Sequence, residues 1–141
     1  NTVDLGYSGK KKLFTLKYQV VVGVLSGAIL HVYGPSFGSV HDATVLKESH
    51  FDKFLWKNNE YCLGDRGYQG CLNVIAPHKN YGDAFTPVEK KHNSNVGKYR
   101  HTVERVFACL KKWTILRNPY RGYDPQEHYL VFMTCCILIS I

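Results

Sequence analysis

The residues best suited to chemistry in this sequence are isolated acids, and the first of them is Glu104. Glu104 is the only acid in the basic stretch 98–121, where apolar residues recur with the spacing of a helix that has one buried face. At about 100° per residue, Arg100, Glu104 and Lys111 share one side of that helix, beside its apolar face. Such a carboxylate can belong to a ligand site, or it can form a surface ion pair with Arg100 worth roughly a few tenths of a kcal/mol. The helix alone leaves both interpretations open.

The second acid is Asp65, which follows a short predicted strand at 61–63. Gly64 ends this strand and a glycine-rich turn follows. Sites in α/β folds are usually built just past the carboxyl ends of strands. Aspartate is also common in ordinary Asp-x-Gly turns, so a purely structural role stays open. The next strand is predicted at 72–76, where Pro77 stops it.

A third acid, Asp42, stands beside His41 near the start of a predicted helix. Either Ser39 or Asp42 can cap this helix. Its apolar side is supplied by Val45, Leu46, Phe51, Phe54 and Leu55. Asp42 is therefore interpreted as a helix cap or as a support for a site.

The elements before this helix form a predicted β-hairpin. Polar and apolar residues alternate from Phe14 to Tyr18, and the apolar run 20–22 indicates a strand end that is buried on both faces. A turn at Ser26-Gly27 leads into a second, antiparallel strand at 28–33.

The elements after the acid turn are predicted to be helical. Thr86 and Glu89 are spaced as a capping box around a helix start, and the segment 93–97 interrupts that helix or weakens it. The main helix is predicted at 98–113, with Trp113 on its apolar side, where packing in the core is the favoured role. A last helix opens at Asp124-Pro125 and enters an apolar segment.

Composition and charge limit the class of protein. The 141 residues fit one domain, and 45% hydrophobic residues exclude a disordered chain. A net charge of +7 favours a polyanionic partner, although a generic basic domain would look the same. No signal peptide is visible, and the apolar segment 130–141 is too short to span a bilayer, so no membrane association is expected. Since the chain starts inside a polar segment without Met, we expect it to be part of a longer protein.

The cysteine pattern favours a reduced, intracellular protein. The five cysteines are odd in number and show no CxxC spacing, which is atypical of a disulfide scaffold or a zinc site. The histidines are scattered along the chain and are not interpreted as a metal-binding set.

Several motifs occur in the order that they take in DDE transposases. They are YSGKKK with QVVV, FGSVHD with VLKES, LGDRGYQG, and R--VERVF with LKKW. The sequence resembles the PIF/Harbinger type and its bacterial insertion-sequence relatives over nearly its whole length. The resemblance implies an α/β, ribonuclease-H-like fold, a mixed sheet flanked by helices that lacks its first strand here. It also implies that 1–141 is a partial catalytic domain for cut-and-paste DNA cleavage and strand transfer, using two Mg²⁺ or Mn²⁺ ions.

The resemblance also assigns roles to single residues. Asp65 matches the family's second catalytic aspartate and Glu104 its catalytic glutamate, so both are implied metal ligands. Arg100 and Lys111 complete an R-x3-E-x6-K pattern and are implied supports, but the tyrosine of related transposases is replaced by Gly97.

The family's first catalytic aspartate has no clear match in this chain. Asp4 is the only candidate, but no apolar run of strand length precedes it. We expect the first aspartate to lie upstream of residue 1.

The implied chemistry explains why acids and cations occur together. Two divalent ions in such a site take oxygen ligands, so carboxylates from distant positions must converge. Without metal the acids would repel one another, and Arg100 and Lys111 can offset that repulsion. Contacts to the DNA backbone are expected from Lys10, Lys11, Lys12, Arg105, Lys111 and Lys112. The run of three lysines is alternatively an ordinary solvated edge. Four aromatic residues among the cations can stack on unpaired bases, or simply pack in the core: Tyr99, Trp113, Tyr120 and Tyr123.

Three functions remain open from the sequence. The first is an active transposase domain that binds transposon ends and target DNA, assembles on DNA as an oligomer, and relies on a separate recognition protein because no recognition helix is identifiable. The second is a domesticated or decayed domain that binds DNA or a protein without cutting. The third is an unrelated basic nucleic-acid-binding module. An intracellular location is expected, in the nucleus if the source is eukaryotic.

Overall fold

The computed structural model describes residues 7–8, 13–82, 84–118 and 124–140. It confirms a mixed α/β composition. The chain divides into two compact units, which are described separately: the first contains Asn1–Val40 and Thr102–Ile141, and the second contains His41–His101.

The first unit begins with antiparallel strands. Strand β1 (Tyr7–Ser8) pairs with β2 (Leu13–Phe14), and the longer strand β3 (Leu16–Val22) pairs with β4 (Ile29–Phe37). The predicted hairpin is thus confirmed, although its second strand extends further than expected. Its turn includes Gly27, whose φ of 71° lies in the left-handed region that glycine adopts at no steric cost.

The core of the first unit lies between this hairpin, the end of the long helix that stops at Leu110, and the last helix of the chain. Helix α5 (Pro125–Ile139) begins at Asp124 as predicted, and the Asp124 carboxylate accepts a hydrogen bond from the Gln126 N–H at 2.8 Å. The buried residues of this core are Leu110, Phe132, Cys135 and Cys136. The Tyr18 ring of β3 stacks on Phe132 with 3.9 Å between ring centroids.

The end of β3 differs from its prediction. Val20 packs against the core, but Val21 and Val22 are only half-buried, and the buried residue of the strand is the polar Gln19. The expectation of burial on both faces was wrong for this apolar run. Burial is set by what packs on each face, which the run of valines does not reveal.

The second unit begins with two short helices where one was predicted. Helix α1 (Asp42–Glu48) and helix α2 (Phe51–Lys57) are separated by His50, whose φ of 55° is left-handed. The Ser49 hydroxyl donates to the Leu46 carbonyl and accepts from the Phe51 N–H, so it ends one helix and starts the next. The buried apolar residues of the two helices are Val45, Leu46, Phe51 and Leu55. Phe54, expected on the same side, is 51% exposed.

The acid turn lies between two short strands of the second unit. Strand β5 (Cys62–Leu63) pairs in parallel with β6 (Val74–Ile75), and a 3₁₀ helix (Arg66–Tyr68) lies in the connection. Both strands fall inside the ranges predicted from the sequence.

The long helix α3 (Pro87–Leu110) is continuous, so the predicted interruption at 93–97 was wrong. Its start is confirmed: the Thr86 N–H and hydroxyl both donate to Glu89 Oε2 at 2.8 Å. Asn93 does not break the helix because its side chain bonds to the backbone of His78 and not to its own helix.

The end of helix α3 also differs from its prediction. The helix stops at Leu110, and a short helix α4 (Thr114–Arg117) follows. Trp113 lies between them and is 40% exposed, so its expected place in the core was wrong. The boundary between the two units falls within α3, after His101.

The described strands pair as three two-stranded sheets, two antiparallel and one parallel. The α/β class is therefore confirmed, whereas one mixed sheet of ribonuclease-H-like form remains a prediction. Within the residues that the structure describes, no helix combines the length and apolarity needed to cross a membrane.

Candidate active site

Asp65 lies directly after the carboxyl end of the parallel strand pair. The Cys62 N–H donates to the Asn73 carbonyl and the Gly64 N–H to the Ile75 carbonyl, both at 3.0 Å. Gly64 allows close packing here, because an added Cβ would lie 2.8 Å from a methyl group of Val74. Asp65 therefore occupies the position at which α/β proteins place functional groups.

The Asp65 side chain is also a turn residue. Its Oδ1 accepts a hydrogen bond from the Gly67 N–H at 2.8 Å and caps the 3₁₀ helix. The Oδ2 atom accepts no hydrogen bond from any described residue, and the side chain is exposed. The turn thus orients one carboxylate oxygen and leaves the second available to a ligand.

Asp42 contributes a second carboxylate to the same turn. A Cβ added at Gly67 would clash with Oδ2 of Asp42 and lie 3.0 Å from Oδ1 of Asp65, so both acids border the bare Cα of Gly67. Asp42 is the first residue of α1, and the N-cap is His41, which makes no side-chain capping bond. The cap role predicted for Asp42 or Ser39 was therefore wrong.

The pKa of Tyr68 is shifted by burial and by the charges at this turn. Burial raises the pKa of the Tyr68 phenol, and the negative charges of Asp42 and Asp65 raise it further. The phenol therefore stays protonated at neutral pH. Tyr68 was not among the predicted site residues, although it belongs to the same GDRGY motif as Asp65.

An open cavity of about 350 Å³ adjoins Asp65 within the second unit. Its lining residues are Asp65, Arg66, Pro77, Asn93, Gly97 and Arg100. The structure therefore brings Arg100 to the same cavity as Asp65, as a support role requires. Arg66 and Asn93 were not predicted to lie here: Arg66 directly follows the acid, and Asn93 belongs to the segment 93–97 that was expected to interrupt or weaken the helix.

Two side chains of α3 hold the segment after β6 in place. Asn93 Oδ1 accepts from the His78 N–H at 2.7 Å, and its amide N–H donates to the His78 carbonyl at 3.4 Å. Nε2 of His92 lies 3.1 Å from the Ala76 carbonyl oxygen, within hydrogen-bonding distance. These contacts fix the wall of the cavity that includes Pro77, which is buried.

The predicted glutamate belongs to the other unit. Glu104 is exposed on helix α3, four residues after Arg100. Near it, the Thr102 hydroxyl donates to the Val24 carbonyl at 3.3 Å, which attaches α3 to the end of the β3–β4 hairpin.

The predicted cations of this unit lie in the last turns of α3 or just after its last residue. Arg105 is exposed on the helix, and Lys111 and Lys112 are exposed just after its last residue. The Lys111 N–H still donates to the Phe107 carbonyl at 3.0 Å, so the backbone keeps the helical hydrogen bond at the position expected for Lys111.

Some predicted residues lie outside the described part of the chain. They are Asp4, Lys10, Lys11, Lys12, Tyr120 and Tyr123.

The donor groups at the Asp65 turn suit a hard divalent cation. Asp42 and Asp65 offer carboxylate oxygens, which Mg²⁺ and Mn²⁺ prefer. Burial raises the pKa of the nearby Cys62 thiol to about 11, so this thiol is protonated at neutral pH. Across the described ranges, no three His, Cys, Asp or Glu side chains are grouped to hold a metal ion. All five cysteines are free thiols.

Two curated bacterial proteins are similar to this chain. "Putative transposase for insertion sequence element IS112" of Streptomyces albus G is 31% identical over 123 residues, which cover 86% of this chain and 47% of that protein. "Probable transposase for insertion sequence element IS702" of Microchaete diplosiphon is 31% identical over 123 residues, covering 82% of this chain and 42% of that protein. The chain thus spans about half, or less, of the length of these relatives.

These relatives are bacterial and give no support to a nuclear location. No solved structure matches the chain. The model of the DDE superfamily endonuclease family matches residues 1–140, nearly the whole sequence. This chain belongs to the DDE superfamily endonuclease family.

Proposed function

We propose that this chain is part of the catalytic domain of a metal-dependent DNA endonuclease and strand transferase of a cut-and-paste element, with a ribonuclease-H-like fold. The observation that carries the proposal is the position of Asp65, directly after the carboxyl end of β5 with one carboxylate oxygen held by the turn. Membership of the endonuclease family supports it, and so do the names of the two relatives.

Asp65 and Glu104 are the proposed metal ligands, and Asp42 supports Asp65 from across Gly67. Divalent Mg²⁺ or Mn²⁺, when bound, neutralises charge on the attacking and leaving oxygens of a phosphodiester during in-line cleavage. The protein's own part is to orient the carboxylates before the metal binds. The hydrogen bond from Gly67 to Asp65 does this at the turn, because it removes rotational freedom from the side chain.

The basic residues are proposed to hold DNA. Arg100 lies in the cavity beside Asp65, where a guanidinium can contact the phosphate of a strand entering the site. The remaining proposed backbone contacts are Lys10, Lys11, Lys12, Arg105, Lys111 and Lys112. Cleavage of paired ends further implies that the protein assembles on DNA as an oligomer. We place this reaction in the cell interior and assign sequence recognition to a separate protein.

The test is Mn²⁺-dependent nicking of supercoiled DNA by the full-length protein that contains this chain. We expect the parent to nick, and Asp65→Asn and Glu104→Gln each to lower the rate by about 10²-fold or more, because each removes a metal-binding charge. Asp52→Asn and Glu48→Gln make the same chemical changes at acids on α2 and α1 outside the site and serve as matched controls.

Two results would contradict the proposal. One is DNA binding without nicking that is unchanged in both site variants, which fits the domesticated or decayed alternative. The other is nicking that persists in Asp65→Asn at the rate of Asp52→Asn.

A further inference from the structure

The cavity beside Asp65 has the dimensions of a small-ligand site. Its volume of about 350 Å³ lies at the low end of the roughly 300–1,000 Å³ typical of such pockets. This space can take a group about the size of one nucleotide and is too small for a base pair. All of its lining residues come from the second unit, between Asp65 and Arg100.

The charges of the lining favour an anionic ligand with a flat group attached. Arg66 and Arg100 each contribute a guanidinium group to the lining, beside the carboxylate of Asp65. A guanidinium binds phosphate through paired N–H donors, and its flat face also stacks on nucleobases. A phosphate alone would use the first property and leave most of the cavity unfilled.

The cavity is open at position 97 because glycine has no side chain to fill it. Gly97 lies in the middle of α3, and a Cβ added there would meet no atom within 4 Å. Glycine inside a helix is destabilising relative to alanine, so the position carries a local cost in stability. The opposite wall is preformed, because Asn93 fixes the backbone of His78 next to Pro77.

We propose that this cavity binds one unpaired nucleotide of a DNA strand, with its phosphate on Arg66 and its base over Gly97. The identification of DNA as the source rests on the proposed function. A nucleotide held here lies beside Asp65, so the pocket would position the strand at the cutting site by taking one base out of the stack.

The test is fluorescence anisotropy with the full-length protein and a short labelled single strand, in EDTA so that catalysis is excluded. A second strand of the same length carries abasic sites in place of its bases. We expect the parent to prefer the base-containing strand, and Gly97→Leu to reduce that preference about tenfold by filling the cavity. Gly97→Ala adds one methyl group and should have a smaller effect. Because Gly97→Leu also introduces a better helix former, a loss of binding cannot be attributed to unfolding of α3.

The second arm concerns the phosphate. Arg66→Gln should weaken binding of both strands about tenfold, whereas Arg117→Gln, which removes the same charge from α4, should weaken it much less. Competition with dAMP should displace the strand at concentrations at which inorganic phosphate does not.

Three results would overturn the proposal: an unchanged base preference in Gly97→Leu, equal losses in Arg66→Gln and Arg117→Gln, or equal competition by phosphate and dAMP. Failure of the proposed function is seen separately. If nicking depends on Asp65 but the two strands bind equally well, only the proposed nucleotide pocket is refuted. If binding depends on the bases but no nicking occurs, only the proposed nuclease activity is refuted.

Discussion

Asp65 and Glu104 are held by two different kinds of structure. Asp65 lies in a turn where a hydrogen bond to Gly67, the bare Cα of Gly67 and the close packing at Gly64 all restrict its position. Glu104 lies on the exposed side of a long helix, and its place in the fold follows the course of that helix. The turn therefore depends on the identity of its immediate neighbours, whereas the helix depends on its continuity over many residues.

The comparison predicts where neighbouring substitutions matter most. Replacing a residue that touches the Asp65 turn should disturb the carboxylate directly, because the contacts there are short. A surface substitution near Glu104 should act mainly through helix stability.

Among substitutions of residues that neighbour the two acids, the largest expected effect is that of Gly67→Ala. The added methyl group clashes with the Asp42 carboxylate and crowds Asp65, so we expect a nicking rate lower by about tenfold or more. Overpacking should also lower the free energy of unfolding by about 1–3 kcal/mol. Urea unfolding followed by circular dichroism measures the second effect, and the nicking assay measures the first.

Gly97→Ala is the matched control for stability, because the same methyl group there meets open space. That variant should raise the free energy of unfolding by about 0.5–1 kcal/mol. A double-mutant cycle tests the cause of the Gly67→Ala effect. If the clash with Asp42 is responsible, adding Gly67→Ala to Asp42→Ala should destabilise the protein much less than Gly67→Ala alone. Fully additive losses would refute the contact.

The sequence was most informative where short-range chemistry decides the structure. The Gly-Asp-x-Gly motif predicted a turn after a strand, and the spacing of Thr86 and Glu89 predicted a helix start; both were confirmed. Asp124-Pro125 likewise predicted the start of α5. In each case one side chain satisfies a backbone group within three residues, so no distant contact is needed.

The sequence was least informative where a distant contact decides. The continuity of α3 through Asn93 depends on the backbone of His78, which lies fifteen residues away along the chain. The cavity lined by Arg66 and Gly97 likewise depends on how α3 packs near the acid turn. For the same reason Asp42 looked like a helix cap, since its proximity to Gly67 arises only in the folded chain.

A smaller effect should be seen in the pH dependence of stability, with one thiol in each unit. Burial raises the pKa of Cys62 in the second unit and of Cys136 in the first, each from 9.0 to about 11. The folded chain therefore keeps thiol protons that the unfolded chain releases. The free energy of unfolding should fall as pH rises from 9.0 to about 11, by about 1 kcal/mol for each thiol after allowance for solvent screening.

Urea midpoints at pH 7.5, 9 and 10.5, under reducing conditions, would measure this fall. Cys62→Ala and Cys136→Ala should each make the decline less steep, whatever they do to stability at pH 7.5. A decline that stays equally steep in both variants would assign it to other groups.

The smallest effects are expected at two helix starts. Thr86 caps α3, the helix that carries both Arg100 and Glu104, and Asp124 caps α5, which carries none of the candidate site residues. Thr86→Ala and Asp124→Ala should each lower the free energy of unfolding by about 1 kcal/mol, because each leaves a backbone N–H without its acceptor. Thr86→Ser and Asp124→Asn retain an acceptor oxygen and should restore most of this loss in urea unfolding.

If Glu104 depends on the continuity of its helix, only Thr86→Ala should also reduce nicking as the temperature approaches the midpoint of unfolding. Equal reductions in Thr86→Ala and Asp124→Ala would mean that global stability, not helix α3, limits the position of Glu104.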